Sequence, residues 1–170
     1  METAITALII IGVMMLAILG LSDRALSAQA ALTDASLALQ EREGERVRTI
    51  LTPTNVAVDP TGEILQVTVR NSGATRLADF ARWDVIVEYA DGVTTQVRWF
   101  PYGTQVNEWT AEIYQDAGAS VPEVFDPNLL NPGEDLLVTV NLSPAIAAGS
   151  TNRFTLVTPN GVAAAVTFTH

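Results

Sequence analysis

Residues 4–21 read AITALIIIGVMMLAILGL, a run with no charge and a single hydroxyl, that of Thr6. As a helix rising 1.5 Å per residue, the run spans roughly 27 Å, close to the thickness of a bilayer core. A cleavable secretory signal fits poorly, because such signals open on Lys or Arg and this chain opens Met1-Glu2-Thr3. No clear small-x-small site is followed by a change to domain-like sequence. Helix-forming sequence continues instead through Ser22-Asp23-Arg24 and ALSAQAALTDASLALQEREGERVRTIL, and the first proline is Pro53. Leu16, Leu19, Asp23, Leu26, Ala30, Thr33, Leu37 and Gln40 follow steps of three and four, which carries a largely apolar stripe onward. The spacing predicts one helix over about residues 3–50, on the order of 70 Å long. Glu45 and Arg48 stand three apart, a spacing that permits an ion pair. Gly12, Gly20 and Gly44 are its weak points, although Gly12 and Gly20 also permit close helix approach. The first half of so long a helix needs either lipid or further copies of itself to cover it.

Past Pro53 the period changes to two. Residues 55–58 (NVAV) form a short strand, and Asp59-Pro60-Thr61-Gly62 has turn composition. Residues 64–70 (ILQVTVR) alternate, with Leu65, Val67 and Val69 on one side, and Asn71-Ser72-Gly73 ends them. Residues 83–89 (WDVIVEY) lead through an Asp91-Gly92 turn into 93–100 (VTTQVRWF). Residues 136–142, 153–158 and 162–169 complete seven or eight antiparallel strands, the signature of a β-sandwich. The predicted class is α+β: a long N-terminal hydrophobic helix over residues 1–51, then an all-β, immunoglobulin-like sandwich head over 52–170.

Charge and residue usage exclude several functions. The net charge is −10, yet mean hydropathy is +0.26. Residues 1–50 hold six acids and four arginines, a net of −2; residues 51–170 hold thirteen acids and five arginines, a net of −8. An acidic chain without basic clusters is a poor nucleic-acid binder. There is no cysteine, and the one histidine is the last residue, His170. Thiolate chemistry, Cys-held metals and a Ser-His-Asp triad are therefore not expected. No phosphate-loop, dinucleotide or hydrolase motif occurs. The chain reads as a non-enzyme without cofactor. Residues 104–135 carry seven carboxylates among Trp109, Ile113, Tyr114, Val124 and Phe125, and read as a long, solvated acidic loop with aromatic contacts to a neighbour. Their spacing fits no calcium loop, so no metal is assigned. Trp83, Trp99 and Trp109 read as core or interface anchors. Asn141-Leu142-Ser143 is the one glycosylation sequon, with Asn141 the candidate acceptor.

An apolar helix leading directly into an acidic all-β domain resembles the type IV pilin-like superfamily. The all-β head resembles the archaellins in particular. The residues that carry the likeness are 2–21 and the strands, including LQVTVRNSGATRL over 65–77. The resemblance implies an extracellular surface filament, a helical homopolymer serving motility or adhesion. It implies an assembly core of Ile5, Leu8, Ile9, Ile11, Gly12, Val13, Met14, Met15, Leu16, Ile18, Leu19, Gly20 and Leu21. It further implies insertion in the cytoplasmic membrane before assembly, an archaellum or pilus assembly motor, and a prepilin-type peptidase. Met1 is then either the first mature residue or an initiator. Glu2 is the candidate for neutralising a neighbour's terminal amine, and a carboxylate there also suits the helix dipole. The same residues resemble a second group, the membrane-anchored, stator-like accessory proteins of the archaellum motor, which also place one helix before a β-sandwich.

Overall fold

The computed structural model describes residues 2–116, 118 and 121–170; for α1, side chains are described at residue 5, residues 7–16 and from residue 27 onward. The chain divides into two compact units, Met1–Glu43 and Gly44–His170.

Helix α1 covers Glu2–Arg48. Its sequence is dense in Ala, Leu, Met, Gln, Glu and Arg, and proline-free, which are the conditions for helix propagation. It stops at Arg48, two residues before the expected Ile50, because Thr49 turns inward and is buried. The expected Glu45–Arg48 ion pair does not form. The Arg48 guanidinium instead donates from Nε to the Gly44 carbonyl at 3.2 Å. A cation near the C-terminal carbonyls of a helix also gains from the macrodipole.

The second unit is a sandwich of two antiparallel sheets. Its strands are β1 (Leu51–Val58), β2 (Ile64–Asn71), β3 (Asp84–Ala90), β4 (Thr95–Phe100), β5 (Trp109–Asp116), β6 (Val121–Pro122), β7 (Asp135–Asn141), β8 (Thr151–Val157) and β9 (Ala163–Thr169). One sheet has the order β1-β2-β7-β5-β6, the other β4-β3-β8-β9. Leu65, Val67 and Val69 of β2 lie in register with Val140, Val138 and Leu136 of β7, and all six are buried. They meet Val85, Val87, Tyr89, Phe154 and Leu156 of the other sheet in one core. This is the period-two pattern acting as expected, with one face of each strand turned inward. Pro53 sits within edge strand β1 at a register shift between Pro53 and Asn55, a place where its missing N–H removes no ladder bond that the sheet depends on.

Two sequence expectations change. Residues 104–135 are not one loop: Trp109, Ala111 and Ile113 turn inward from β5, which pairs with β7. The Asp91-Gly92 turn delays β4 to Thr95, because the Asp91 carboxylate takes the amides of Val93 (2.8 Å) and Thr94 (2.7 Å). Gly92 has φ +88°, which suits glycine at this bend. Those two amides, with Gln96 Nε2, hold the Asp91 pKa down at about 2. The pKa is depressed on folding, so the stabilisation is fully present above the unfolded value near 3.8 and is lost as pH falls through about 2. Asp91→Ala should therefore lower the melting temperature clearly at pH 6 and much less at pH 2. Equal losses in thermal unfolding at the two pH values would refute this assignment.

Candidate assembly surfaces

The first surface is the N-terminal part of α1. Ile5, Leu8, Ile9, Ile11, Val13, Met14, Met15 and Leu16 are 58–75% exposed, and Ile10, which the assembly set omits, is 51% exposed. They surround the helix instead of forming one stripe. Such a continuous apolar surface is far beyond what a soluble monomer leaves in water. A Cβ at Gly12 would meet nothing within 4 Å, so this glycine keeps a small notch in that surface. The side chains of Glu2, Ile18, Leu19 and Leu21, and Gly20 beside them, lie outside the described residues. Among the described residues, no helix is long and apolar enough to cross a membrane.

A second feature is the end of α1, where it belongs to the sandwich unit. Helix ends leave carbonyls without intrahelical partners. Here the loop after β2 supplies them: Ala74 N–H donates to the Arg48 carbonyl at 2.8 Å, and Ser72 and Gly73 donate to the Ile50 carbonyl at 2.9 and 3.1 Å. Thr49 Oγ1 bonds the Glu45 carbonyl at 2.8 Å and accepts from Asn160 Nδ2 at 3.0 Å. The loop is held in place by Asn71, fully buried, whose Nδ2 donates to the Thr75 carbonyl and whose Oδ1 accepts from Gly73. Nothing in the sequence announced that Asn71-Ser72-Gly73 caps a helix end more than twenty residues upstream.

The acidic residues of 104–135 are mostly turn fasteners. The Glu108 carboxylate accepts from the Gln105 amide, Glu112 from the Tyr114 hydroxyl, Asp116 from the Gly118 amide and Glu134 from the Asn131 amide, at 2.7–3.0 Å. The Glu112 carboxylate raises the Tyr114 pKa, mainly through that hydrogen bond. Asp135 is buried and receives a bidentate Arg70, at 3.0 Å from Nε and 2.9 Å from Nη2. That hydrogen bond, and then the Asp135 charge itself, raise the Arg70 pKa. Among the described residues, no group of three or more His, Asp and Glu is placed to hold a metal ion. Of the three tryptophans, Trp83 and Trp109 are in the core, while Trp99 is 59% exposed and donates from Nε1 to Asp84 at 2.9 Å.

The sequence model for archaeal-type flagellin matches residues 2–168. The chain belongs to the archaeal-type flagellin family. Membership makes it a structural subunit of an extracellular filament, and implies that it is not an enzyme. None of the curated proteins matches the sequence. Among solved structures, the chain is similar to the archaeal flagellum of Methanospirillum hungatei strain JF1, at 16% identity and a TM-score of 0.64, over 96% of this chain and 90% of that one. It is similar to flagellin FlaB1 from Methanocaldococcus jannaschii, at 15% identity and a TM-score of 0.55, over 71% of this chain and 89% of that one. The archaellum periplasmic stator protein FlaG from Sulfolobus acidocaldarius is also similar, at 18% identity and a TM-score of 0.51, over 71% of this chain and 99% of that one.

In this flagellin the sequon residue Asn141 ends β7 and is half-buried, with its backbone N–H bonded to the Glu108 carbonyl at 3.0 Å. Leu142 between Asn141 and Ser143 is buried. Sequence reasoning named Phe125 among the apolar residues of 104–135 but did not single it out as the most exposed aromatic of the sandwich unit, and it passed over the arginine-lined cleft at Arg76 and Arg82. Phe125 is apolar, and nothing local separates an outward Phe from a core one.

Proposed function

We propose that this flagellin polymerises through residues 1–51, which pack in the filament centre against the same segment of neighbouring subunits. Residues 52–170 then form the outer layer as an immunoglobulin-like head. The observation that carries this reading is the exposure of the large apolar side chains from Ile5 to Leu16, on every side of one helix. Burying one such side chain is worth about 1.5–3 kcal/mol in water, so the set has a gross driving force of tens of kcal/mol. Before assembly the cytoplasmic membrane shelters the same surface, and a prepilin-type peptidase processes the N-terminus. Leaving lipid for an equally apolar filament core gains little, so the archaellum or pilus motor supplies the work. Glu2 stands near the helix N-terminus, where a carboxylate suits the dipole and can meet a neighbour's terminal amine. The net −8 of residues 51–170 keeps neighbouring filaments apart and soluble. Asn141 is the candidate glycan acceptor.

The stator-like reading draws support from the likeness to FlaG. That likeness covers 71% of the chain, however, while the one to the flagellum of Methanospirillum hungatei takes in 96%. The archaeal-type flagellin match over residues 2–168 favours the filament subunit. Electron microscopy and mass spectrometry of material sheared from the cell surface test the choice. A filament built of this chain is expected, with an intact mass that reports both N-terminal processing and any glycan at Asn141. Recovery of the chain only in the membrane fraction, with no filament, would support the stator-like reading instead.

A further inference from the structure

We propose that Phe125 of one subunit inserts into the cleft between Arg76, Arg82 and Trp83 of the next, as a contact between sandwich units. The proposal rests on the filament reading above. Phe125 is 86% exposed and Val124 74%, at the tip of the connection between β6 and β7. The tip is held in shape. The Glu123 carboxylate accepts from the amides of Phe125 (2.7 Å) and Asp126 (3.2 Å) and from Gln115 Nε2 (3.0 Å). The Glu123 N–H bonds the Ile113 carbonyl of β5 at 2.9 Å. A backbone tied down by this many bonds presents the exposed ring from a preformed tip, so a partner does not have to order the loop first.

The cleft has about 180 Å³ of space, with Leu77, Trp83 and Pro159 in its lining. A cavity of about 150 Å³ accepts benzene, so a phenyl ring fits. Arg76 and Arg82 are exposed on its rim, alongside Glu45 and Asp79, and among the described residues neither arginine is in an ion pair. Charge then selects the occupant. Two heads whose residues 51–170 each carry a net −8 repel, so a stable contact has to present arginine from one side. Of the five arginines of residues 51–170, Arg70 is engaged by Asp135, Arg98 bonds the Ser143 carbonyl and lies over Phe100, and Arg153 stands singly on β8, whereas Arg76 and Arg82 share one cleft. Arg76 and Arg82 are free to receive a carboxylate, and Asp126 directly follows Phe125. Arginine also stacks well on an aromatic face. The knob lies between β6 and β7, whereas the cleft lies before β3 and beside the β8–β9 turn. Unlike patches make a heterologous contact, the kind that propagates along an open helix.

The test counts filaments sheared from cells making each full-length variant. Phe125→Ala and Asp126→Arg should each reduce filament yield about tenfold or more, as loss of a central anchor does. Asp126→Arg combined with Arg82→Asp should recover most of it. In this cysteine-free chain, Phe125→Cys with Ala78→Cys should give a disulfide ladder of oligomers in oxidised filaments. Native yield from the first two variants, no recovery in the double variant, or no ladder would each overturn the contact. Native filaments blocked by Ile11→Asp but indifferent to Phe125→Ala would sink this contact and leave the filament reading standing. No filaments from the native chain would overturn both.

Discussion

Cells making only Ile11→Asp or Leu16→Asp are expected to carry no filaments. Ile11 and Leu16 are 58% and 71% exposed in the isolated chain, so neither substitution removes a contact within it. The cost arises only on assembly. Moving an ionised carboxylate out of water and into an apolar bundle costs several kcal/mol even after relaxation. The defect recurs in every subunit of a homopolymer, so it cannot be diluted. Ile11→Val, by contrast, removes one methyl group, costs about 0.5–1.5 kcal/mol per subunit and should leave filaments. Thermal unfolding of the sandwich should be unchanged in both aspartate variants, since Ile11 and Leu16 belong to the unit Met1–Glu43 and the sandwich to Gly44–His170. Normal filaments from either aspartate variant would defeat the account of the core.

A large loss of folding stability is expected from Gly73→Ala. A Cβ at this position would stand far inside van der Waals contact with the Arg48 carbonyl oxygen, 2.5 Å from the Ile50 nitrogen and 3.2 Å from the Thr49 carbonyl carbon. All three are backbone atoms and cannot swing aside. The loop must retreat, and it then gives up the bonds from Ser72, Gly73 and Ala74 to the carbonyls of Ile50 and Arg48. Each net hydrogen bond is worth about 0.5–1.5 kcal/mol, so losing three costs about 2–4 kcal/mol, part of it as stranded carbonyls. Denaturant unfolding of the full chain, compared with native and with Ala74→Gly, measures this. A midpoint unchanged by Gly73→Ala would show that the loop does not need to approach the helix end so closely.

Local pattern was readable in the sequence because it reports local physics. The apolar run of 4–21 and the alternation of Leu65, Val67 and Val69 are decided by neighbours a few residues away, and the structure keeps them as helix and as inward-facing strand. Strand β5 was hidden by its setting. Its inward residues Trp109, Ala111 and Ile113 have the required spacing of two, but the surrounding carboxylates read as a loop. Five of the seven carboxylates, those of Glu108, Glu112, Asp116, Glu123 and Glu134, turned out to accept from a nearby amide or hydroxyl, and Asp135 takes Arg70 across the sheet. The Glu45–Arg48 pair failed for a related reason: the backbone carbonyl of Gly44, one turn back, lies within reach of the Arg48 guanidinium and takes its Nε.

The sequence by itself determined that the chain has an apolar end that needs cover and an acidic sandwich made to face water. Hydrophobicity, period and charge are sums over residues, and they do not depend on which distant parts meet. The tertiary structure alone decided that Asn71-Ser72-Gly73 closes the end of α1, that Asp135 is buried on Arg70, and that Phe125 points outward while Trp109 points in. These are contacts between segments far apart in the chain, or the difference between a loop tip and the inward face of a strand. Only the closing of the two sheets on each other determines which groups come within reach.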